Sequence, residues 1–172
     1  MTRRWDFDTV SSDSGLPEAL SPEITAALTL YQALLTALSS SLPPAQFQPI
    51  FRHIASSISD HLYAKVATSR IFSQQGGQQL LYDITSGWEA AAKEARVRKP
   101  TTGMHKIKDA ARLLALPAGV DAAGGISFAK AMSAAWNDND DKFGQVLKDV
   151  GVLELSRSQA QAVLRKRPEC WK

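Results

Sequence analysis

The stretch that decides the fold is LPPAQFQPIFRHIASSISDHLYAKV, residues 42–66. Its apolar side chains recur every three or four positions, and seven of them share this spacing: Phe47, Ile50, Phe51, Ile54, Ile58, Leu62 and Val66. The spacing places them along one side of a helix. Neighbouring segments must cover that side, because a lone helix cannot keep it in water. Because a proline inside a helix removes a backbone hydrogen bond, the regular helix either begins near Pro49 or kinks there after a short first turn. Pro49 falls on the side opposite the stripe, so either alternative leaves the stripe intact.

The composition is that of an ordinary globular domain. The chain has 172 residues, enough for one domain with a real core, and 44% of them are hydrophobic while 22% are charged. The chain has one cysteine, Cys170, so it cannot form an intramolecular disulfide, which is consistent with a reducing compartment. Cys170 is interpreted as an inert thiol. No apolar run approaches the ~18 residues that span a bilayer. Residues 1–10 hold no signal-peptide core, so the sequence predicts a soluble, unsecreted protein.

Helical periodicity continues on both sides of the 42–66 stretch. Before it, Ser21 and Pro22 are the residue types of a helix cap and of a first helical position. The stripe predicted for this first helix consists of Ile24, Leu28, Tyr31, Leu35 and Leu38, widened by Leu30 and Leu34. Five further helices are predicted after the stretch: one capped by Ser73, one over 104–114, one with the stripe Ile126, Ala129, Met132 and Trp136, one between the acidic run 137–141 and Gly151, and one opened by the Ser156–Gln159 capping box and ended by Pro168.

These elements predict an all-α fold, an antiparallel helical bundle of about six to seven helices joined by short loops. Residues 1–20 are rich in turn formers and are predicted to be a flexible segment leading into the bundle. Residues 21–172 are predicted to form a single helical bundle domain. The run 150–153 has the length of a strand, but a helix terminus explains it better, and the small residues 118–125 are interpreted as a loop.

The histidines do not form a metal-binding pattern. His53 and His61 lie eight residues apart, too far for an i,i+4 pair, and zinc needs three or four ligands. His105 stands alone farther along the chain. Because His61 falls near the edge of the apolar stripe, it is interpreted as a buried or partly buried structural residue.

Other ligand-binding motifs also fail at decisive positions. The acidic run 138–141 resembles the start of a calcium loop, but Phe143 stands where glycine is required and Asp149 where glutamate is required. The glycine pairs at 76–77 and 124–125 lack the ending of a phosphate loop, and no Gly-x-Ser-x-Gly elbow occurs. No catalytic, cofactor-binding or metal-binding residue is therefore predicted.

The net charge of +3 is concentrated near the end of the sequence, where Arg165, Lys166 and Arg167 are adjacent. A charged helix C-terminus explains them. They also leave open an alternative function, a small basic helical nucleic-acid-binding module whose affinity would fall steeply with salt. Among the tryptophans, Trp88 and Trp136 are interpreted as core residues, whereas Trp5 and Trp171 lie near the termini and are candidate anchors at a partner surface.

Four segments, in this order, resemble the C-terminal region of the RINT/TIP family of vesicle-tethering proteins, subunits of the Dsl tethering complex at the endoplasmic reticulum. Each segment alone is a weak signature, and the four together are more specific. They are LPPAQFQPIFRHIA at 42–55, IFSQQGGQQLLYD at 71–83, HKIKDAARLLALP at 105–117, and LKDVGVLELSRSQAQAVLRKRP at 147–168, followed by Glu169, Cys170 and Trp171.

The resemblance implies the last bundle of an elongated rod of stacked helical bundles. It implies a non-enzymatic scaffold in Golgi-to-endoplasmic-reticulum retrograde transport, in the cytoplasm and peripheral at the endoplasmic reticulum membrane. The implied partners are the N-terminal helices of SNARE proteins and other tether-complex subunits, the latter mainly through an N-terminal region absent here. Nucleic acid and direct membrane insertion are not implied. Family chains are much longer, so the resemblance also implies that Met1 begins either a fragment or a shortened gene product.

Overall fold

The computed structural model describes residues 17–119, 125–137 and 140–171. Within these ranges the chain forms seven helices and no strand, which confirms the predicted all-α bundle. The helices are α1 (Pro22–Ser41), α2 (Pro44–Leu62, continued by the π-helical turn Tyr63–Ala67), α3 (Gln74–Tyr82, then the π-helical turn Asp83–Trp88, then Glu89–Glu94), α4 (His105–Leu114), α5 (Phe128–Trp136), α6 (Asp140–Val150) and α7 (Arg157–Leu164), followed by a 3-10 turn (Pro168–Trp171).

Helix α2 buries a narrower line than its sequence predicts. The buried positions are Phe47, Phe51, Ala55 and Ser59, spaced four residues apart. The other predicted stripe residues flank this line, and Ile50 at its edge is 39% exposed. The structure excludes a helix start near Pro49: α2 begins at Pro44, so Pro49 lies inside the helix on the exposed side.

Helix α3 approaches the end of α4 closely at Gly77. A Cβ atom added at Gly77 would lie 2.3 Å from the carbonyl carbon and oxygen of Leu114 and 2.6 Å from the nitrogen of Ala115. No side chain fits at that distance, so the two backbones touch only because residue 77 is glycine. Glycine is a weak helix former, but Gly77, which lies within the predicted third helix, has a packing function.

Several predicted helix limits are confirmed by the structure. The Ser73 hydroxyl accepts a hydrogen bond from the Gly76 amide at 3.1 Å, and Ser156 with Gln159 forms the reciprocal capping box. Gly151 adopts φ +79° after α6, as a helix-ending glycine does. The predicted helix start is confirmed, since Ser21 occupies the cap position and Pro22 begins α1. The Ser21 side chain does not cap the helix, however: its hydroxyl and its amide both donate to the buried carboxylate of Asp83, which ties the start of α1 to α3.

The predicted stripe of α1 is confirmed at Leu28, Tyr31 and Leu35, but its predicted widening and the predicted stripe of α5 are wrong. Leu30 and Leu34, expected to widen the buried stripe of α1, are 73% and 46% exposed. On α5 the buried positions are Phe128, Ala131 and Ala135, whereas Trp136 is 41% exposed. The interpretation of Trp136 as a core residue is therefore wrong, while Trp88, at 7% exposure, is in the core as predicted.

Parts of some predictions fall outside the described residues. The segment 1–16, including Trp5, lies there, as do residues 120–124 of the predicted loop and residues 138–139 of the acidic run. In the last four residues of the predicted flexible segment, the carbonyl oxygen of Ala19 accepts a hydrogen bond from the Gln79 side chain at 2.9 Å. The boundary at residue 20 remains a prediction.

Candidate interaction surface: a groove between two tryptophans

An open groove of about 540 Å³ lies where the end of α5 meets the segment after α7. It is lined by Met132, Ser133, Trp136, Arg165, Cys170 and Trp171. Trp171 is 73% exposed and Trp136 is 41% exposed, so both indoles present apolar surface to solvent. Tryptophan and arginine are enriched among the residues that contribute most of the binding energy at protein interfaces. We call this surface the tryptophan groove.

The α5 side of the tryptophan groove is fixed by hydrogen bonds from α7. The carbonyl oxygen of Ala135 accepts from the Gln161 side chain at 2.6 Å and from the Arg157 guanidinium at 3.1 and 3.3 Å. Arg157 also donates to the Asn137 carbonyl oxygen and to Asp140. The last carbonyl groups of a helix lack partners within that helix, and these side chains supply them. The end of α5, which carries Trp136, is therefore held against α7.

The opposite side of the groove depends on Arg167, which is completely buried. Its Nη1 donates to the carbonyl oxygens of Leu114 and Leu116 at 2.7 and 2.9 Å. Its Nε donates to Glu169 at 3.1 Å, its Nη2 donates to the same carboxylate, and its guanidinium carbon lies 4.7 Å from the centre of the Phe128 ring. A buried charge is tolerated only with such partners. Arg167 thereby fixes the 3-10 turn that carries Trp171.

Arg165 supplies the charge of the tryptophan groove. Its guanidinium carbon lies 5.6 Å from the centre of the Trp136 ring, and its carbonyl oxygen accepts from the Trp171 indole nitrogen at 3.1 Å. Among the residues that the structure describes, Arg165 forms no ion pair, and no acidic side chain lines the groove. The surface is therefore apolar with one available positive charge, which suits an apolar partner that also carries a carboxylate.

The basic run that suggested nucleic-acid binding is divided by the fold. Arg165 is exposed and Lys166 is half-buried, but Arg167 is fully buried and committed to internal hydrogen bonds. Only part of the run is thus available to a phosphate backbone. Trp171, the candidate anchor at a partner surface, is 73% exposed, and its role as an anchor stays a prediction.

The sequence missed Trp136 because α5 offers two competing stripes. Ile126, Ala129, Met132 and Trp136 have helical spacing, but so do Phe128, Ala131 and Ala135. The second set packs closely because alanine permits near contact with α6 and α7, and it has a large aromatic only at its first position. The phenylalanine at residue 128, followed by alanines at helical spacing, was the signal that could have indicated the buried side.

The histidines are dispersed in the structure. His53 and His61 are exposed on α2, and His105 is half-buried at the first position of α4. The interpretation of His61 as a buried structural residue is wrong, because α2 centres its buried line on Ala55 and Ser59 and leaves residue 61 outside it. No group of three or more metal-ligating side chains is present within the described ranges. Cys170 is half-buried in the groove wall with a free thiol.

None of the helices in the described part of the chain combines the length and apolarity needed to cross a membrane. Comparison with curated proteins and with solved structures gave no significant match to this chain. The sequence pattern of the RINT-1/TIP-1 family, in contrast, matches residues 1–167, nearly the whole chain. The matched span includes α1 to α7 and Arg165 and Arg167 of the tryptophan groove. This tethering-related chain belongs to the RINT-1/TIP-1 family.

Proposed function

We propose that this chain is a non-enzymatic scaffold in Golgi-to-endoplasmic-reticulum retrograde transport, and that its tryptophan groove binds an N-terminal helix of a SNARE protein. Membership of a tethering-related family supports the transport role. The observation that carries the assignment to this surface is the pair of exposed indoles, Trp136 and Trp171, on either side of Arg165. In this proposal the protein acts peripherally at the endoplasmic reticulum membrane, within a tether complex.

The groove suits a helix in its chemistry. An amphipathic helix binds a groove by inserting apolar side chains spaced three or four residues apart. Two tryptophans offer large apolar area at a small cost in side-chain entropy, because each has only two rotatable bonds. Both walls are held by hydrogen bonds, at Ala135 and through Arg167, so little ordering is required on binding.

The charge of Arg165 adds a requirement on the partner. A helix that fills the groove should place an aspartate or glutamate within reach of this guanidinium, which has no carboxylate partner among the described residues. A charge-assisted pair at an interface contributes to orientation and specificity as much as to affinity. The partner side chain is thus expected to be acidic at one position beside its apolar stripe.

Calorimetry with the N-terminal helical domains of the endoplasmic reticulum SNARE proteins tests the proposal. We expect one of them to bind, and we expect Trp171→Ala to weaken this binding by about 10-fold or more. Arg165→Glu should also weaken the binding, by a larger factor at low salt than at high salt. Leu153→Ala is the matched control, because Leu153 is 78% exposed but does not line the groove.

Two results would contradict the proposal. One is no binding of any of these domains at high micromolar concentration. The other is binding that neither Trp136→Ala nor Trp171→Ala weakens, which would place the contact on another surface. If nucleic acid bound instead, the affinity would fall by orders of magnitude between low and physiological salt, and that outcome would support the alternative function.

A further inference from the structure

Helix α1 has a second apolar stripe that faces away from the core. It consists of Ala27, Leu30, Leu34 and Ala37, spaced three, four and three residues apart. All four are exposed, and Leu30 and Leu34 are the exposed leucines that the sequence placed in the core. The buried stripe of the same helix contains Leu28, Tyr31 and Leu35, so the outer stripe is a separate surface. We call it the outer stripe of α1.

The surroundings of the outer stripe contain no charge on α1. From Ile24 to Ser41 the helix has no aspartate, glutamate, lysine or arginine, over most of its 20 residues. Exposed helix faces in globular proteins ordinarily carry charged residues. A continuous uncharged face of this length, about 27 Å for 18 residues, is typical of a surface that another protein covers.

The outer stripe is symmetric about Gln32. Leu30 and Leu34 lie two positions on either side of it, and Ala27 and Ala37 lie five positions on either side. When two copies of a helix pair antiparallel around a two-fold axis at residue 32, each residue meets the one at the mirrored position. Leu30 then contacts Leu34 of the partner subunit, Ala27 contacts Ala37 of the partner subunit, and both contacts occur twice.

From this self-complementarity we infer that two copies of the chain associate through the outer stripe of α1, antiparallel and around a two-fold axis that passes between the two helices at the height of residue 32. The Gln32 side chain itself lies on the other side of α1, where it donates to Glu94. A two-fold interface requires a surface that matches itself, and the mirrored Ala-Leu-Leu-Ala order meets that requirement. The alanines at the ends allow the helices to approach closely. Glu23, on the same side one turn before Ala27, meets Ser41 of the partner subunit, so no like charges face each other.

The interface is small and the dimer is correspondingly weak. One helix pair buries less than the roughly 1,200 Å² that separates stable from transient complexes, so the dimer forms only at high concentration. Because the contact is apolar, raising the salt concentration does not dissociate it. The contact is separate from the tryptophan groove, so this inference and the proposed function stand or fall independently.

Sedimentation equilibrium of the full chain over a concentration series, from about 10 µM to about 1 mM as suits a weak interface, measures the association. We expect the mass to rise from one chain towards two, equally at low and high salt. Leu30→Glu and Leu34→Glu should each weaken the association about 10-fold or more, because each buries two unpaired carboxylates in the dimer. Ile71→Glu is the control, since Ile71 has the same 73% exposure as Leu30 but lies outside α1.

A mixing experiment tests the antiparallel register. Leu30→Glu and Leu34→Lys chains should each associate poorly alone, but their mixture should form a heterodimer, because residue 30 of one chain meets residue 34 of the other. Circular dichroism of each variant at low concentration verifies that it is folded. A single-chain mass up to about 1 mM would overturn the inference, as would a dimer that withstands both glutamate substitutions. Failure of the mixture to pair would overturn the register.

Discussion

The phenol ring of Tyr31 packs edge-on against the indole of Trp88, with ring centroids 5.0 Å apart and planes inclined by 62°. This arrangement is favourable for aromatic rings, and it joins α1 to α3 in the core. The hydroxyl of Tyr31 is buried and has no hydrogen-bond partner among the described residues. Burial raises the pKa of Tyr31 to about 12 from its ordinary value of 10.0.

The unpartnered hydroxyl gives the first prediction. Tyr31→Phe removes a buried polar atom without leaving any other group unsatisfied, so we expect the free energy of unfolding to rise by about 0.5 to 1 kcal/mol. Urea unfolding at neutral pH measures the change. Tyr63→Phe is the matched control, because the Tyr63 hydroxyl donates to the Gln159 carbonyl oxygen at 3.3 Å and its loss should be mildly destabilising. A loss of stability in Tyr31→Phe exceeding that in Tyr63→Phe would contradict this account.

The raised pKa of Tyr31 gives the second prediction, at alkaline pH. Below pH 10.0 the phenol is neutral in both states, so its burial costs no ionisation energy. Between pH 10.0 and about 12 the unfolded chain releases this proton while the folded chain retains it, which favours unfolding. Stability should therefore fall across this window, and less steeply in Tyr31→Phe. Parallel pH profiles for wild type and variant would disprove the assignment.

The contact of Gly77 with α4 gives the third prediction. Gly77→Ala forces a methyl group to within 2.3 Å of the Leu114 carbonyl, so α3 and α4 must separate. We expect a loss of about 2 kcal/mol or more, as in other overpacked cores. Gly144→Ala is the control: it lies in α6 with nothing within 4 Å of an added Cβ, and should stabilise the helix by about 0.5 to 1 kcal/mol. Thermal unfolding of both variants compares them, and equal effects would refute the close contact.

Arg167 gives the fourth prediction. Arg167→Met retains most of the apolar volume but leaves the carbonyl oxygens of Leu114 and Leu116 without their donor, so we expect a loss of about 3 kcal/mol or more. Arg165→Met, two residues earlier and exposed, should change stability by less than about 0.5 kcal/mol. Chemical denaturation followed by circular dichroism measures both. If the two variants lost similar stability, the internal role of Arg167 would be wrong.

Helix positions and ends follow from the sequence because their signals are local. Ser73, the Ser156–Gln159 pair and Gly151 act on amide groups within a few residues of themselves. The all-α fold is equally evident, since apolar spacing determines the secondary structure without knowledge of the neighbours. The family resemblance inferred from four segments is confirmed by the match over residues 1–167.

Which side of each helix is buried depends on neighbours that are distant in the sequence, so local patterns did not predict it correctly on every helix. On α1 the leucines at 30 and 34 continue the buried stripe in projection, yet α2 and α3 cover only one side of the helix. On α5 the alanine line is buried because small residues permit close packing, which leaves Trp136 outside. Ser21 donates to a carboxylate 62 residues away rather than capping its own helix. Each of these outcomes depends on a partner distant in the sequence.

The same distance explains why the tryptophan groove was found only in part. The position of Trp171 made it a candidate anchor at a partner surface, but its neighbour across the groove lies 35 residues earlier (171 − 136). Nothing local indicates that the chain returns to α5 at its end. The buried state of Arg167 was equally hidden, because a run of three basic residues normally stays in water.

The hydrogen bonds of residue 167 also bear on how the protein is made. The carbonyl groups of Leu114 and Leu116 accept hydrogen bonds from Arg167, which is synthesised about fifty positions later. The Phe72 amide donates to the carbonyl oxygen of Lys166, which is separated from it by an even longer stretch of sequence. A nascent chain on the ribosome can form its early helices, but it cannot close this region until residue 167 has left the exit tunnel. During translation the end of α4 therefore lacks these donors for several seconds, since about fifty residues are added at roughly 5–20 residues per second.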